Sequence, residues 1–310
     1  MIHRPFGQHT GWNASAVGLG TWNLGNQWGD ISDRESDAIL RAAIESGMNV
    51  IDTAESYGIP NGMSELRIGR VLPDYDRSSL FIVSKIGNWG GRTGQGVPKT
   101  TADMIRLCGH AIAGRMKSGY VDSILCHEGG IQDPSIYIEG FEALVEEGMI
   151  RCYGISTNNL EVLKRFHEQS SGKCAVVELE YSLLNREAED GLIDYCQREG
   201  MGILVRGPLN KGLLSGRYDL DTEFTDNVRR SFNAGGDRRD YFVKQLDKLQ
   251  RVRDTIGDAD LVETSLRFLI RHPANMVVIP GATRPGQALQ NAAAGAIALE
   301  EDLYERLRAL

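Results

Sequence analysis

The chain is short of cysteine, of long apolar runs and of positive charge, and each shortage removes a class of function. Its five cysteines, Cys108, Cys126, Cys152, Cys174 and Cys196, lie too far apart for a zinc knuckle or a redox pair, and their odd number fits reduced thiols. Cys126 directly precedes His127 in a strand-like run, so its thiol is expected on the opposite face, as a small buried residue. No stretch reaches the ~18 apolar residues of a membrane span, and the start, Met1 to Phe6, lacks the apolar core of a leader, so a cytoplasmic location is expected. A formal charge of −8 argues against nucleic acid or an anionic membrane as partner, since both call for a basic face. One basic run, Arg229, Arg230, Arg238 and Arg239, is broken by Gly235, Gly236 and acids and reads as a solvated loop.

What the chain does have is length and alternation. Its 310 residues, 41% of them apolar, suffice for a full core. Short β-like runs at 16–20, 49–52, 80–85, 121–127, 151–156, 175–178, 202–206 and 276–279 alternate with stretches of helical period at 33–46, 64–72, 101–117, 134–147, 160–168 and 188–199. Several helices open on a Ser, Thr or Asp cap and close before Gly, as at Glu147-Gly148 and Glu199-Gly200. No linker divides the chain. Eight such units in one domain spanning 1–310 predict an α/β fold, the (β/α)8 TIM barrel, with its site at the C-terminal strand ends.

Two glycine-rich stretches are decoys. Gly18 to Gly25 has its third glycine too late for a dinucleotide fingerprint and no prompt helix, which counts against a doubly wound sheet. Gly87 to Gly96 ends in Val97-Pro98-Lys99-Thr100 where a phosphate loop needs Gly-Lys-Thr in succession. It reads instead as a loop over the barrel mouth, with Trp89 as a lid or substrate contact. A second insertion, 218–241, is either a cofactor or substrate flap or a surface loop.

Four residues at predicted strand ends form a coherent chemical set: Asp52, Tyr57, Lys85 and His127. Each has a plain structural explanation alone: a turn cap, a core aromatic, a surface charge, an interior imidazole. Their shared position after β-branched runs favours a proton relay. An ammonium beside a phenol favours the phenolate, a carboxylate keeps the lysine charged, and an imidazole steers a substrate oxygen.

The chain resembles the aldo-keto reductase superfamily from Gly18 to about Asn291. Asp52-Thr53-Ala54-Glu55-Ser56-Tyr57-Gly58 with Ser64-Glu65 and Gly69, then Val83-Ser84-Lys85, Leu125-Cys126-His127, Gly148-Met149-Ile150-Arg151 with Gly154-Ile155-Ser156, and Glu180 to Leu184 carry the similarity. The resemblance implies Tyr57 as general acid, Lys85 as the neighbour that lowers its pKa, Asp52 as the ion-pair partner of the lysine and His127 as orienter of a carbonyl. It implies NADP(H), without metal, and a small-molecule carbonyl or alcohol as substrate. Pro280-Gly281-Ala282-Thr283-Arg284 with Gln287 and Asn291 resembles the segment that grips the 2′-phosphate, where a guanidinium fork and a helix start suit an anion. Pro208-Leu209 and Gly212-Leu213-Leu214-Ser215-Gly216-Arg217 resemble the stretch over the pyrophosphate, and Thr21 and Trp22 join the cofactor set.

Three departures surround the expected nicotinamide: Ser156-Thr157 for Ser-Asn, Glu178 for Gln, and Arg206 for a stacking Tyr. Glu178 accepts from a carboxamide nitrogen without donating to its oxygen, and a planar Arg206 replaces the ring; the two are a candidate cross-strand pair. Trp28, Trp89 and Glu128 are substrate-contact candidates, and with Asn23, Asn26, Gln27 and Asn88 they favour a polar compound. Two rivals remain: an NADP-binding regulatory subunit resembling potassium-channel β subunits, and a metal-dependent hydrolase, for which only His127, Asp52 and Glu178 qualify as ligands.

Overall fold

The computed structural model describes residues 1–310, apart from the side chain of Arg92. It opens on an antiparallel hairpin, β1 (His3–Phe6) and β2 (Trp12–Ser15), paired from His3 against Ser15 to Phe6 against Trp12. Eight parallel strands follow: β3 (Leu19–Gly20), β4 (Val50–Asp52), β5 (Phe81–Ile86), β6 (Val121–Cys126), β7 (Ile150–Ser156), β8 (Cys174–Glu180), β9 (Gly202–Arg206) and β10 (Val277–Val278). They pair in chain order. The bridges Val17–Val278 and Gly20–Gly281 join the two edges, so the sheet closes into the expected barrel.

The helices are α1 (Asp33–Glu45), α2 (Met63–Val71), α3 (Ala102–Met116), α4 (Ser135–Glu146), α5 (Leu160–Gln169), α6 (Leu192–Arg198), α7 (Arg239–Ile256), α8 (Leu261–Arg271), α9 (Pro285–Ala294) and α10 (Glu301–Arg308). Caps fix where they begin. Ser32 and Glu35 form a reciprocal capping box on α1, Thr101 caps α3 by accepting from Met104 N, and Asn159 caps α5 by accepting from Glu161 and Val162 N. None of these helices is long and apolar enough to cross a membrane, among the described residues.

Two cores result from strand alternation. Outward-facing residues such as Ile51, Ile82, Ile124, Ile155 and Val177 pack with the helices. Inward-facing Val50, Val83, Leu125, Val176, Leu204 and Val277 fill the barrel, and Phe6, Trp12 and Ala14 of the hairpin pack against them. Trp12 stacks between Phe6 and Phe81 at centroid distances of 5.4 and 4.9 Å. The hairpin therefore plugs one end with apolar surface, and the opposite, carboxyl end of the strands is left for chemistry.

Candidate active site

The period of two carries six interior positions to polar residues at the open end. Val50 leads to Asp52, Val83 to Lys85, Leu125 to His127, Gly154 to Ser156, Val176 to Glu178 and Leu204 to Arg206, so all six side chains converge over the core that the hairpin seals. Tyr57 reaches the same place from the turn after β4, where its backbone carbonyl accepts from Ser64 N.

Lys85 is fully buried and saturated. Its Nζ donates to Asp52 Oδ1 at 2.5 Å, to the Thr53 carbonyl at 2.9 Å and to the Tyr57 hydroxyl at 3.2 Å, and it lies 3.0 Å from Glu178 Oε2. The four relay residues predicted from sequence therefore do come together, with His127 edge-on to Tyr57 at 5.9 Å between ring centroids. Trp22 stacks on the other side of Tyr57 at 6.0 Å. Ser56 Oγ lies 3.4 Å from His127 Nδ1, and Asn88 Nδ2 donates to the His127 carbonyl.

The electrostatics differ from the expectation in one respect. Burial, reinforced by Asp52 and Glu178 and opposed by Lys85, pushes the Tyr57 phenol up to about 12 rather than below its usual value. Burial would lower the Lys85 ammonium, but Asp52, Glu178 and Tyr57 outweigh it and hold it above the usual lysine range. Burial and then the neighbouring Glu178 push Asp52 well above the usual carboxylate range, against the pull of Lys85. The phenol is thus a protonated donor at neutral pH, and the ammonium stays charged.

A cavity of about 890 Å³ opens over this group. Among the predicted residues, Trp22, Asp52, Tyr57, His127, Ser156, Thr157, Arg206, Pro208, Leu209, Gly212, Ser215, Arg217, Gly281, Thr283, Gln287, Asn291 and Trp28 line it. Several expectations need correction. Thr21 is buried below the wall, donating to the Asp52 carbonyl and accepting from Ser64 Oγ; Leu213 is in the apolar core. Trp89 does not line the cavity, because its ring lies against Lys99 and Arg115 at 6.0 and 5.5 Å. Glu128 turns away to accept from the Tyr137 hydroxyl at 2.6 Å. Arg284 stands exposed beside the cavity at the start of α9, with no ion-pair partner among the described residues.

Glu178 and Arg206 do form the cross-strand pair, at the long distance of 4.0 Å. Each has a closer partner: Glu178 receives Ser156 Oγ at 3.2 Å and faces Lys85, while Arg206 donates to Glu180 Oε2 at 2.8 Å and Asn158 Oδ1 at 3.0 Å. Asn158, one position beyond the expected asparagine, lines the cavity and was not anticipated. Its signal was present in the Ser156-Thr157-Asn158 run at a strand end. Arg229, read as solvated, is a second miss: it lines the cavity, pairs with Asp226 at 2.8 Å, donates to the Tyr218 hydroxyl and lies 5.4 Å from the Trp28 ring. Tyr218, Phe224, Phe232 and Phe242 pack in a chain of ring contacts, so the 218–241 insertion is a built wall rather than a loose surface loop. No cluster of three or more His, Cys, Asp or Glu side chains suited to a metal occurs among the described residues.

The wall also carries donors suited to an anionic ligand such as a dinucleotide. Ser215 Oγ is buried without a hydrogen-bond partner on the cavity side, and such a donor calls for an acceptor. Arg217 lines the same stretch, and the free guanidinium of Arg284 stands at the opening of α9.

The aldo/keto reductase family profile matches residues 16–310. Among curated relatives, aldo-keto reductase YhdN of Bacillus subtilis is 27% identical over 289 residues, covering 90% of this chain and 84% of the relative. The NADH-specific methylglyoxal reductase of Escherichia coli is 26% identical over 308 residues, covering 90% and 89%. A putative voltage-gated potassium channel subunit beta of Schizosaccharomyces pombe is 27% identical over 308 residues, covering 91% and 85%. Among solved structures, the holo form of aldo-keto reductase AKR11C1 from Bacillus halodurans superposes with a TM-score of 0.81 at 26% identity, covering 100% of this chain and 96% of the other. An aldo/keto reductase from Klebsiella pneumoniae in complex with NADP and acetate gives 0.72 at 27% identity, covering 99% and 94%.

Proposed function

The chain belongs to the aldo/keto reductase family, and from that premise we propose that it is an NADP(H)-dependent oxidoreductase interconverting a polar aldehyde, ketone or sugar-like carbonyl and its alcohol. The observation that carries the reading is the buried Lys85 ammonium, 3.2 Å from the Tyr57 hydroxyl and anchored by Asp52. A bound nicotinamide supplies the hydride. Tyr57 donates its proton to the carbonyl oxygen as negative charge develops there, a contribution of about 10²–10⁴-fold for a positioned acid. Lys85 then stabilises the phenolate, and His127 orients the oxygen toward the phenol. Trp22 packs against one face of the Tyr57 ring and holds the phenol in place.

Two features favour a phosphorylated nucleotide: Arg284 and the unpartnered Ser215 hydroxyl. The relative named for NADH specificity makes cofactor choice a point to test rather than inherit. The relative named as a channel β subunit supports a second reading, a nucleotide-binding regulatory subunit with little turnover. One experiment separates the two: a panel of carbonyls and alcohols followed by nicotinamide absorbance, with Tyr57→Phe as control. We expect turnover that Tyr57→Phe lowers by at least about 10²-fold while nucleotide affinity stays within about twofold, since the phenol acts on the substrate oxygen. Tight nucleotide binding with no turnover on any compound would favour the regulatory reading, and unchanged turnover in Tyr57→Phe would remove the phenol from the chemistry.

A further inference from the structure

Lys85 is held by two acids where one would keep it charged. Asp52 Oδ1 lies 2.5 Å and Glu178 Oε2 3.0 Å from the same ammonium, and both carboxyl side chains are shut off from solvent, at 4% and 0% exposure. They reach it from β4 and β8 and lie close enough together that Glu178 adds to burial in pushing Asp52 up, and a single positive charge cannot neutralise both. Glu178 does not itself line the cavity and lies behind its floor. Ser156 donates to the other oxygen of Glu178, and Ser156 and Arg206 both line the cavity beside the Tyr57 and His127 side chains. The nearest other cation is Arg206, which lies 4.0 Å from Glu178 and is itself committed to Glu180 at 2.8 Å and to Asn158.

A nicotinamide ring is neutral when reduced and positively charged when oxidised. On the reading of the site given above, the ring must share this floor to pass hydride to a carbonyl held by Tyr57 and His127. A cationic ring there is attracted by the surplus negative charge behind the floor. A neutral ring is not. We infer that Glu178 makes this site hold the oxidised nicotinamide nucleotide more tightly than the reduced one.

The test is binding rather than turnover. Dissociation constants for NADP+ and NADPH are measured by titration calorimetry and fluorescence quenching on the wild type, Glu178→Gln and Glu178→Asp. Glu178→Gln keeps the shape and removes the charge, so the preference for the oxidised form should fall by about tenfold, the scale expected for one partly compensated charge at close range. Glu178→Asp should retain most of the preference. Equal ratios in wild type and Glu178→Gln overturn the inference while leaving the oxidoreductase reading standing. A wild type that binds NADPH as tightly as NADP+ or more tightly overturns it without any variant, and so covers a Glu178→Gln protein that does not fold. Failure of the wild type to bind either nucleotide overturns the functional reading itself.

Discussion

At the scale of single residues, the relay was legible because its members are strand-end residues of unmistakable chemistry. Asp52, Lys85 and His127 each stand two positions beyond an interior apolar residue, and that arithmetic needs only the strand assignment. What side chains do with their remaining freedom was not legible. Glu178 lies closer to Lys85 than to Arg206, and Glu128 turned to Tyr137, because each found a buried partner whose position depends on the closed barrel. The second acid changes what the variants should do. Lys85→Met is expected to reduce turnover by about 10²-fold or more, since it leaves two buried carboxyls facing the phenol. Asp52→Asn should cost less than a tenth of that, because Glu178 still holds the ammonium. Single-turnover rates with saturating nucleotide measure the ordering, and equal losses would give Asp52 a role beyond the lysine. The other residue-scale prediction concerns Arg284. With no acid to neutralise it among the described residues, its guanidinium is available to a 2′-phosphate, and Arg284→Ala should weaken NADPH binding about tenfold or more, from charge-assisted bonds of roughly 1.5–3 kcal/mol. NADH binding should change little, and parallel losses for both nucleotides would assign Arg284 to the fold.

At the scale of elements, the eight strands and the helices α1 to α6 follow the sequence pattern closely, while the opening hairpin and the helices α7, α8 and α10 went unread. The hairpin strands, four residues each, are too short to display a period, whereas α7 and α8 do carry an apolar stripe, Phe242, Leu249 and Val252 in one and Leu266, Phe268 and Leu269 in the other. The Trp89 assignment failed for a different reason: a loop position fixes proximity to the mouth, but Lys99 and Arg115 drew the ring outward. One element junction is constrained by a missing side chain. At Gly154 the register between β7 and β8 shifts, and a Cβ there would collide with the Val176 carbonyl oxygen. Both strands carry floor residues beyond that point, Ser156 and Glu178. Gly154→Ala should therefore lower stability by about 2–4 kcal/mol, the range for a buried overpacking clash, and weaken nucleotide binding together with it. Thermal unfolding and nucleotide titration on the same sample check this; full stability would mean that the two strands can part without cost.

At the scale of the whole molecule, the cavity is a junction between distant parts of the chain. Trp22 and Trp28 come from the segment after β3, Ser156 and Arg206 from later strands, Thr283 and Gln287 from the segment beyond β10, and Tyr218 and Arg229 from the insertion between β9 and α7. Closure of the barrel between β3 and β10 brings the first and last of these together, which explains why no linear motif displayed the complete wall. The insertion is held from two sides. Phe224, Phe232 and Phe242 anchor it in the core, and Arg229 ties its inner edge to Asp226, Tyr218 and the face of Trp28 across the cavity. The two attachments are separable, because the aromatic anchor does not need the guanidinium. Arg229→Ala should leave the barrel folded at a cost of about 1–3 kcal/mol, the loss expected for a part-buried charged partner, while the inner edge loses its hold on Trp28. Nucleotide bound against that wall should then dissociate several-fold faster, with a smaller change in association, because a departing ligand no longer meets an ordered side. Stopped-flow displacement of NADPH, read through its fluorescence, measures both rates. An unchanged dissociation rate with a folded protein would show that Arg229 serves only the packing of its own segment, and that the opposite wall from Thr283 to Asn291 retains the nucleotide alone.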